Sequence, residues 1–239
     1  MQKVDILAIG VHPDDIELGC SGTLFAHKAF GKKIALLDLT QGELGTRGSA
    51  ALRIKEANVA AKKLGVEFRI TLDLKDGFFE CNKTNLLKII EVIRYCQPKV
   101  ILANALADRH PDHGRAAKLV SDACFYSGLM KIKTTYEGVT QTKWRPSVVY
   151  HYIQDFNLKP DFVVNITPFM DKKLEVISAF KSQFFDPEST ESVTPISTKE
   201  FWEFVIAKAR TYGRHAGFEF GEGFNISRPI GVQNILDMY

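Results

Sequence analysis

Short apolar runs and helical patterns alternate through the first hundred residues of this chain, and that alternation admits few folds. Residues 4–9, 33–39, 67–72 and 100–103 have strand character, and residues 16–30, 50–64 and 85–96 carry helical spacing between them. Gly31 and Gly65 stand where the first two helices should stop, because glycine takes the left-handed conformation of a helix end without steric cost. Repeated strand–helix–strand units build a parallel sheet with right-handed crossovers. The expected class is therefore α/β, a Rossmann-like, mostly parallel sheet flanked by helices. Ligands of such sheets bind beyond the carboxyl ends of the strands.

The rest of the chain is less regular. Helices are expected over residues 115–126, 169–180 and 199–212, and strands over 147–153 and 162–165. Residues 131–145 are polar with mixed β character, a hairpin or an excursion, and residues 212–224 read as an ordered loop rich in glycine and aromatics. There is neither an internal repeat nor a linker, so residues 1–239 are expected to form one domain, a length that buries a full core without staples. The net charge is only +3 and the lysines are dispersed, which argues against nucleic acid as a partner. No run of about 18 apolar residues occurs, so no membrane span is expected. Cys20, Cys81, Cys96 and Cys124 lack metal or redox spacing, and no secretory pattern precedes the first strand. Reduced thiols and a cytoplasmic location follow as expectations.

Two histidine–carboxylate motifs sit at strand ends. His12-Pro13-Asp14-Asp15 follows the first apolar run, and His110-Pro111-Asp112-His113 follows the fourth. A proline at the first helical position would put Asp14 and Asp15 in the first helical turn, where the helix dipole favours carboxylates. His12 and Asp15 can then converge on one cation while Asp14 points elsewhere. Taken alone, the first motif has a plain alternative, in which the aspartates cap a helix. Asp112 has the same alternative. Both motifs at equivalent strand ends favour a metal site built from His12, Asp15 and one histidine of the second motif, with an open position for water. The remaining histidine and Asp112 can pair, the carboxylate fixing the ring's tautomer. Asp14 is placed to act as general base, and the non-ligand histidine to stabilise an oxyanion. Those parts suit metal-dependent hydrolysis of an amide.

Other segments speak more softly. Residues 42–48, GELGTRG, can wrap a ligand but lack the spacing of a phosphate-binding loop. Arg53 and Glu56 open a helix and can be a solvated ion pair. Asp76-Gly77 can contact a sugar hydroxyl or form a plain turn. Two other classes compete with the hydrolase: a non-catalytic ligand-binding module, which has little use for a spare carboxylate beside a metal site, and a nucleotide-binding protein using residues 42–48.

The paired motifs, together with GELGTRG, Arg53-x-x-Glu56, Arg145-Pro146 and the closing YGRHAGFEFGEGF, resemble the zinc-dependent N-acetylglucosamine deacetylases related to PIG-L and LmbE. The tail and the length are most similar to the branch of that family that deacetylates N-acetylglucosaminyl malate in bacillithiol biosynthesis. The resemblance implies His12, Asp15 and His113 as ligands of one zinc ion per subunit, with iron also compatible with such a donor set. It implies Asp14 as base, and His110, oriented by Asp112, as the oxyanion stabiliser. It implies Arg53 and Asp76, with Glu43 and Arg145, as contacts to an amino-sugar substrate, and a homo-oligomer, often a hexamer. Related substrates are a thiol conjugate, free N-acetylglucosamine or chitooligosaccharides.

Overall fold

The computed structural model describes residues 1–237. Its centre is a seven-stranded sheet. The first half of the chain runs β1 (Ile6–Gly10), α1 (Asp15–Ala29), β2 (Ile34–Asp38), α2 (Ala50–Leu64), β3 (Phe68–Thr71), α3 (Lys83–Cys96), β4 (Val100–Ala103) and α4 (Pro111–Ser127). A small hairpin of β5 (Thr135–Tyr136) and β6 (Val139–Thr140) follows, then β7 (Val148–Tyr152), β8 (Phe162–Asn165), α5 (Met170–Ile177), α6 (Lys199–His215) and β9 (Gly221–Ile226). The strand order is β3-β2-β1-β4-β7-β9-β8, with β9 antiparallel to both of its neighbours and the first five strands parallel. The expected α/β class is observed.

The strand order dictates where a ligand can sit. From β1 the chain moves outward to β2 and β3, then returns past β1 to form β4 on its other side. The crossovers leaving β1 and β4 diverge, and a crevice opens between their carboxyl ends. The two histidine motifs are the segments that leave these two strands.

Alternation along the strands divides the core. Leu7 and Ile9 face α3 and α4 through Ile89, Ile93, Leu119 and Val120, whereas Ile6 and Ala8 face α1 and α2 through Ile16, Cys20, Ala57 and Ala60. α1 approaches the sheet so closely that a Cβ at Gly19 would lie 2.2 Å from the Tyr152 ring. The Tyr152 hydroxyl donates to the Ile9 carbonyl at 2.9 Å, which fixes β7 relative to β1.

The structure changes three sequence expectations. Residues 221–226 form β9 inside the sheet, not a loop. The missing signal is steric: Gly221 and Gly223 replace the alternating apolar side chains of an ordinary strand. A Cβ at Gly221 would lie 2.4 Å from Val163 and 3.0 Å from the Gly213 nitrogen of α6. Second, α1 begins at Asp15, so Asp14 is its N-cap and Pro13 lies outside the helix. Third, α4 starts at Pro111, not at residue 115, and places Asp112 and His113 in its first turn. Residues 131–145 do contain a hairpin, turned by Glu137 and Gly138 at φ 49° and 78°, as a twisted two-residue turn requires. No helix among the described residues is long and apolar enough to cross a membrane.

Beneath the crevice, α1 is tied to the sheet by buried charge. Arg69 on β3 grips Asp38 at the end of β2 through two bonds of 2.6 and 2.7 Å and reaches Glu17 on α1 at 2.6 Å. Breaking a buried cluster by removing one partner leaves the others desolvated and uncompensated. Replacing Arg69 with Met is expected to lower unfolding free energy by about 3–5 kcal/mol in urea titration; a loss below about 1 kcal/mol would show that Asp38 and Glu17 find other partners.

Candidate metal centre and active site

A cavity of about 350 Å³ opens at the carboxyl ends of β1 and β4 and is lined by His12, Asp14, Asp15, Arg53, Asp76, Asp108, His110 and His113 among others. That volume suits a small molecule. The apposition of the two motifs is thus a consequence of strand order.

The turn between β1 and α1 is built around Asp15. Its Oδ2 accepts the backbone N–H groups of Val11 at 3.0 Å and His12 at 2.9 Å, and the Asn104 amide at 2.9 Å. Its Oδ1 accepts the Gln154 amide at 2.9 Å and lies 3.1 Å from His113 Nε2. Burial alone would raise this carboxyl, but the adjacent His113 and His12 outweigh burial and hold it well below the usual carboxylate range.

Each of two histidines is backed by a second carboxylate. His12 Nε2 bonds Asp76 Oδ1 at 2.9 Å, which leaves Nδ1 facing Asp15 Oδ2 at 3.7 Å. His113 Nδ1 bonds Asp108 Oδ2 at 2.5 Å, which leaves Nε2 facing Asp15. A carboxylate on the far nitrogen fixes ring orientation and tautomer and raises the basicity of the near nitrogen, an arrangement common to metal-binding histidines. Burial would lower the His113 pKa, but Asp15 and Asp108 push it up to about 10. Negative charge that strongly favours a proton also favours a divalent cation, and the two compete for the same lone pair.

Donor distances alone pick out two groupings. Nitrogens of His12, His110 and His113 lie within 4.8 Å of one another, as do donor atoms of His12, Asp76 and Asp112. Hydrogen-bond commitments weigh against each of them. His110 caps α4 by accepting the Asp112 backbone N–H at Nδ1, at 3.3 Å. A neutral imidazole that accepts at one nitrogen carries its proton on the other, so His110 Nε2 is a donor, not a ligand. Likewise His12 Nε2 is committed to Asp76. His12 Nδ1 and His113 Nε2 are the ring nitrogens left facing Asp15, one toward each of its oxygens. A histidine–aspartate–histidine donor set is of the kind that divalent cations accept.

Asp14 faces differently from its neighbour. Its backbone sits at φ 133°, a region that side chains disfavour, and its carboxylate makes no cap bond to α1. Holding a non-glycine residue there costs about 1–3 kcal/mol and marks a constrained site. Asp14 Oδ2 accepts Arg53 Nη2 at 2.9 Å, while Oδ1 has no hydrogen bond among the described residues. Burial raises the Asp14 carboxyl to about 6, against the pull of Arg53. His110 is pushed below its ordinary value by burial and by the charges of His12 and His113.

Several expected roles are redistributed. Asp112 does not orient His110 through its carboxylate; the buried carboxylate accepts Gly77 N–H at 2.8 Å and Arg115 at 2.7 Å. Asp76 lines the cavity but is engaged at both oxygens, one on His12 and the other on Leu44 N–H at 2.9 Å, so its first role is to hold the His12 ring. Glu43 is exposed and supports the Asp76 turn by accepting its N–H at 2.9 Å. Arg145 lies outside the cavity, exposed over the Phe125 ring and bonded to the Phe125 carbonyl. Arg53 does line the cavity, held by Asp14, Pro13 and Gly42, and a Cβ at Gly42 would lie 2.2 Å from its guanidinium. Sequence reading missed Asp108, Asn104 and Gln154. Asp108 lies five residues before His113 in ADRHPDH, and Asn104 immediately follows β4, so position relative to the motif and the strand end was the available signal. Gln154 had none comparable.

Several known proteins are similar to this chain. Residues 7–124, which span both motifs, match the family model of GlcNAc-PI de-N-acetylase, PIG-L. A solved structure of a conserved protein from Thermus thermophilus is 33% identical and superposes with a TM-score of 0.84, covering 96% of this chain and 97% of that one. Diacetylchitobiose deacetylase of Thermococcus kodakarensis is 28% identical over 231 residues, 91% of this chain and 81% of the relative. 4-oxalmesaconate hydratase of Pseudomonas putida is 25% identical over 252 residues, 96% of this chain and 88% of the relative. A hydratase among the relatives means that the reaction must be read from side chains, not from the fold. Both motifs lie inside the matched segment, so residues 7–124 carry the PIG-L family pattern.

Proposed function

We propose that this N-deacetylase removes the acetyl group from an N-acetylglucosaminide, with N-acetylglucosaminyl malate of bacillithiol biosynthesis as substrate. The observation that carries the reading is the divergence of two adjacent carboxylates. Asp15 accepts donors at both oxygens and lies beside two backed histidines, whereas Asp14 keeps one oxygen free in the cavity.

His12 through Nδ1, Asp15 through Oδ1 and His113 through Nε2 would hold one divalent cation, zinc or ferrous iron, both of which accept this donor set. When bound, the cation supplies Lewis acidity and lowers the pKa of water in the cavity. Asp14 Oδ1 takes the proton of the attacking water. Arg53 holds the other oxygen at 2.9 Å and so points the free lone pairs into the cavity. A carboxyl raised to about 6 can accept a proton and return it to the leaving amine near neutral pH. His110 donates Nε2–H to the oxyanion that develops on the acetyl carbonyl, and its low pKa does not impair a neutral donor. Asp76 and Asp108 position the two ligand rings, and Asp112 joins α4 to the loop that carries Asp76.

A second substrate is favoured by one finding, the similarity over 91% of this chain to a diacetylchitobiose deacetylase. Initial rates on N-acetylglucosaminyl malate, diacetylchitobiose and free N-acetylglucosamine, measured on chelator-treated and metal-restored protein, distinguish the readings. Deacetylation is expected to vanish on chelation and return with zinc or ferrous iron, fastest on the malate glycoside. Undiminished activity after complete metal removal would refute the reaction; preference for diacetylchitobiose would move the substrate to the second reading.

The backing carboxylates generate a separate expectation. Asp108→Asn should weaken metal affinity about 10- to 100-fold, read by competition with a chromophoric chelator. Unchanged affinity would assign Asp108 to the fold, through its bond to the Phe156 N–H at 2.8 Å, rather than to the metal centre.

A further inference from the structure

The wall that α6 contributes to the cavity consists of Phe201, Phe204, Val205, Lys208, Ala209 and Tyr212, an apolar surface with one ammonium in it. The other cations that line the cavity are engaged. Arg47 bonds Ser189 and Glu191, Arg53 bonds Asp14, Arg109 bonds Asp155 at 2.5 Å, and Lys173 bonds Glu222 at 2.6 Å. Lys208 Nζ is buried and has no hydrogen-bond partner among the described residues. It rests 5.6 Å from the centre of the Phe204 ring and 5.9 Å from that of Tyr212. Asp108 and Asp155 attract it from beyond hydrogen-bond distance, and burial still lowers its pKa to about 8. An unpaired ammonium among aromatic rings is costly to keep, and a methionine would fill the same slot without that cost. The two rings and the two distant aspartates offset part of that cost, but none of them supplies the hydrogen bonds that an ammonium needs.

We propose that Lys208 is a specificity-determining residue that binds a carboxylate on the anomeric substituent of the substrate. The inference rests on the deacetylase reading for the identity of the sugar. A neutral sugar needs hydrogen-bonding groups, not a charge, so an unneutralised cation in the wall marks an anionic portion of the ligand. One ammonium with three donors matches a single carboxylate, whereas phosphate recognition usually recruits a fork of arginine donors or a nest of backbone N–H groups. The four-carbon stem is flexible, so the ammonium can turn toward a ligand in the cavity that its residue lines.

The test is binding, so that turnover does not intervene. Affinities of the deacetylated glycosides glucosaminyl malate and methyl glucosaminide are measured by titration calorimetry on metal-loaded native protein, Lys208→Met and Lys208→Arg. Native protein should prefer the malate glycoside by about 10- to 100-fold, the scale of one charge-assisted hydrogen bond. Lys208→Met should bring the ratio close to one, and Lys208→Arg should retain part of it. No preference in native protein, or an unchanged ratio in Lys208→Met, overturns the proposal. Turnover of the acetylated forms separates this proposal from the reading beneath it. Native protein that shows the Lys208-dependent preference but deacetylates neither glycoside keeps the anion site and loses the deacetylase. Native protein that deacetylates both without preference keeps the deacetylase and loses the anion site.

Discussion

The site depends on one carboxylate. Asp15 gathers donors from three parts of the chain: the backbone of the β1–α1 turn, Asn104 after β4 and Gln154 after β7. Those bonds hold the ends of three strands at one point, and they orient Oδ1 toward His113. Placing α1 so that Asp15 occupies this point forces its neighbour into an unfavourable backbone conformation at φ 133°. The strain therefore belongs to the arrangement. Asp14 is turned out of the helix cap and into the cavity, where Arg53 waits.

From that point the constraints spread outward. Asp76 and Asp108 hold the rings of His12 and His113 from behind, and each is itself held by the fold, Asp76 by Leu44 N–H and Asp108 by Phe156 N–H. Asp112 ties the first turn of α4 to Gly77, the residue after Asp76. The two motifs are thus braced by a shared loop as well as by the sheet. Deeper down, Arg69 links Asp38 and Glu17, so that the helix carrying Asp15 cannot shift without exposing buried charge. The chemistry sits above a layer of ion pairs, and the apolar core lies on both faces of the sheet below it.

Much of this was legible in the sequence because it is local. Periodicity located β1 to β4 and their helices, and glycine stops marked the ends of α1 and α2. The HPDD and HPDH motifs lie at strand ends, which pointed to one shared site, and the structure brings their histidines and aspartates to one cavity. What the sequence did not disclose depends on contacts between distant segments. Asp76 resembles an ordinary turn residue, and its role comes from a histidine 64 positions away. β9 hides because Gly221 and Gly223 trade side chains for close contact with α6 and Val163. Arg145 failed as a site residue for the opposite reason, since proximity in a motif carried no information about which surface it would face.

The central claim is that Asp14 and Asp15, adjacent in sequence, do unlike work: one moves a proton and the other holds a metal. The direct measurement is metal stoichiometry together with deacetylation rate for Asp14→Asn and Asp15→Asn. The account predicts near-stoichiometric metal in Asp14→Asn with turnover reduced by about 10²- to 10⁴-fold, the range for loss of a general base. It predicts metal-poor protein for Asp15→Asn. Undiminished turnover in Asp14→Asn, or full metal occupancy in Asp15→Asn, would contradict it.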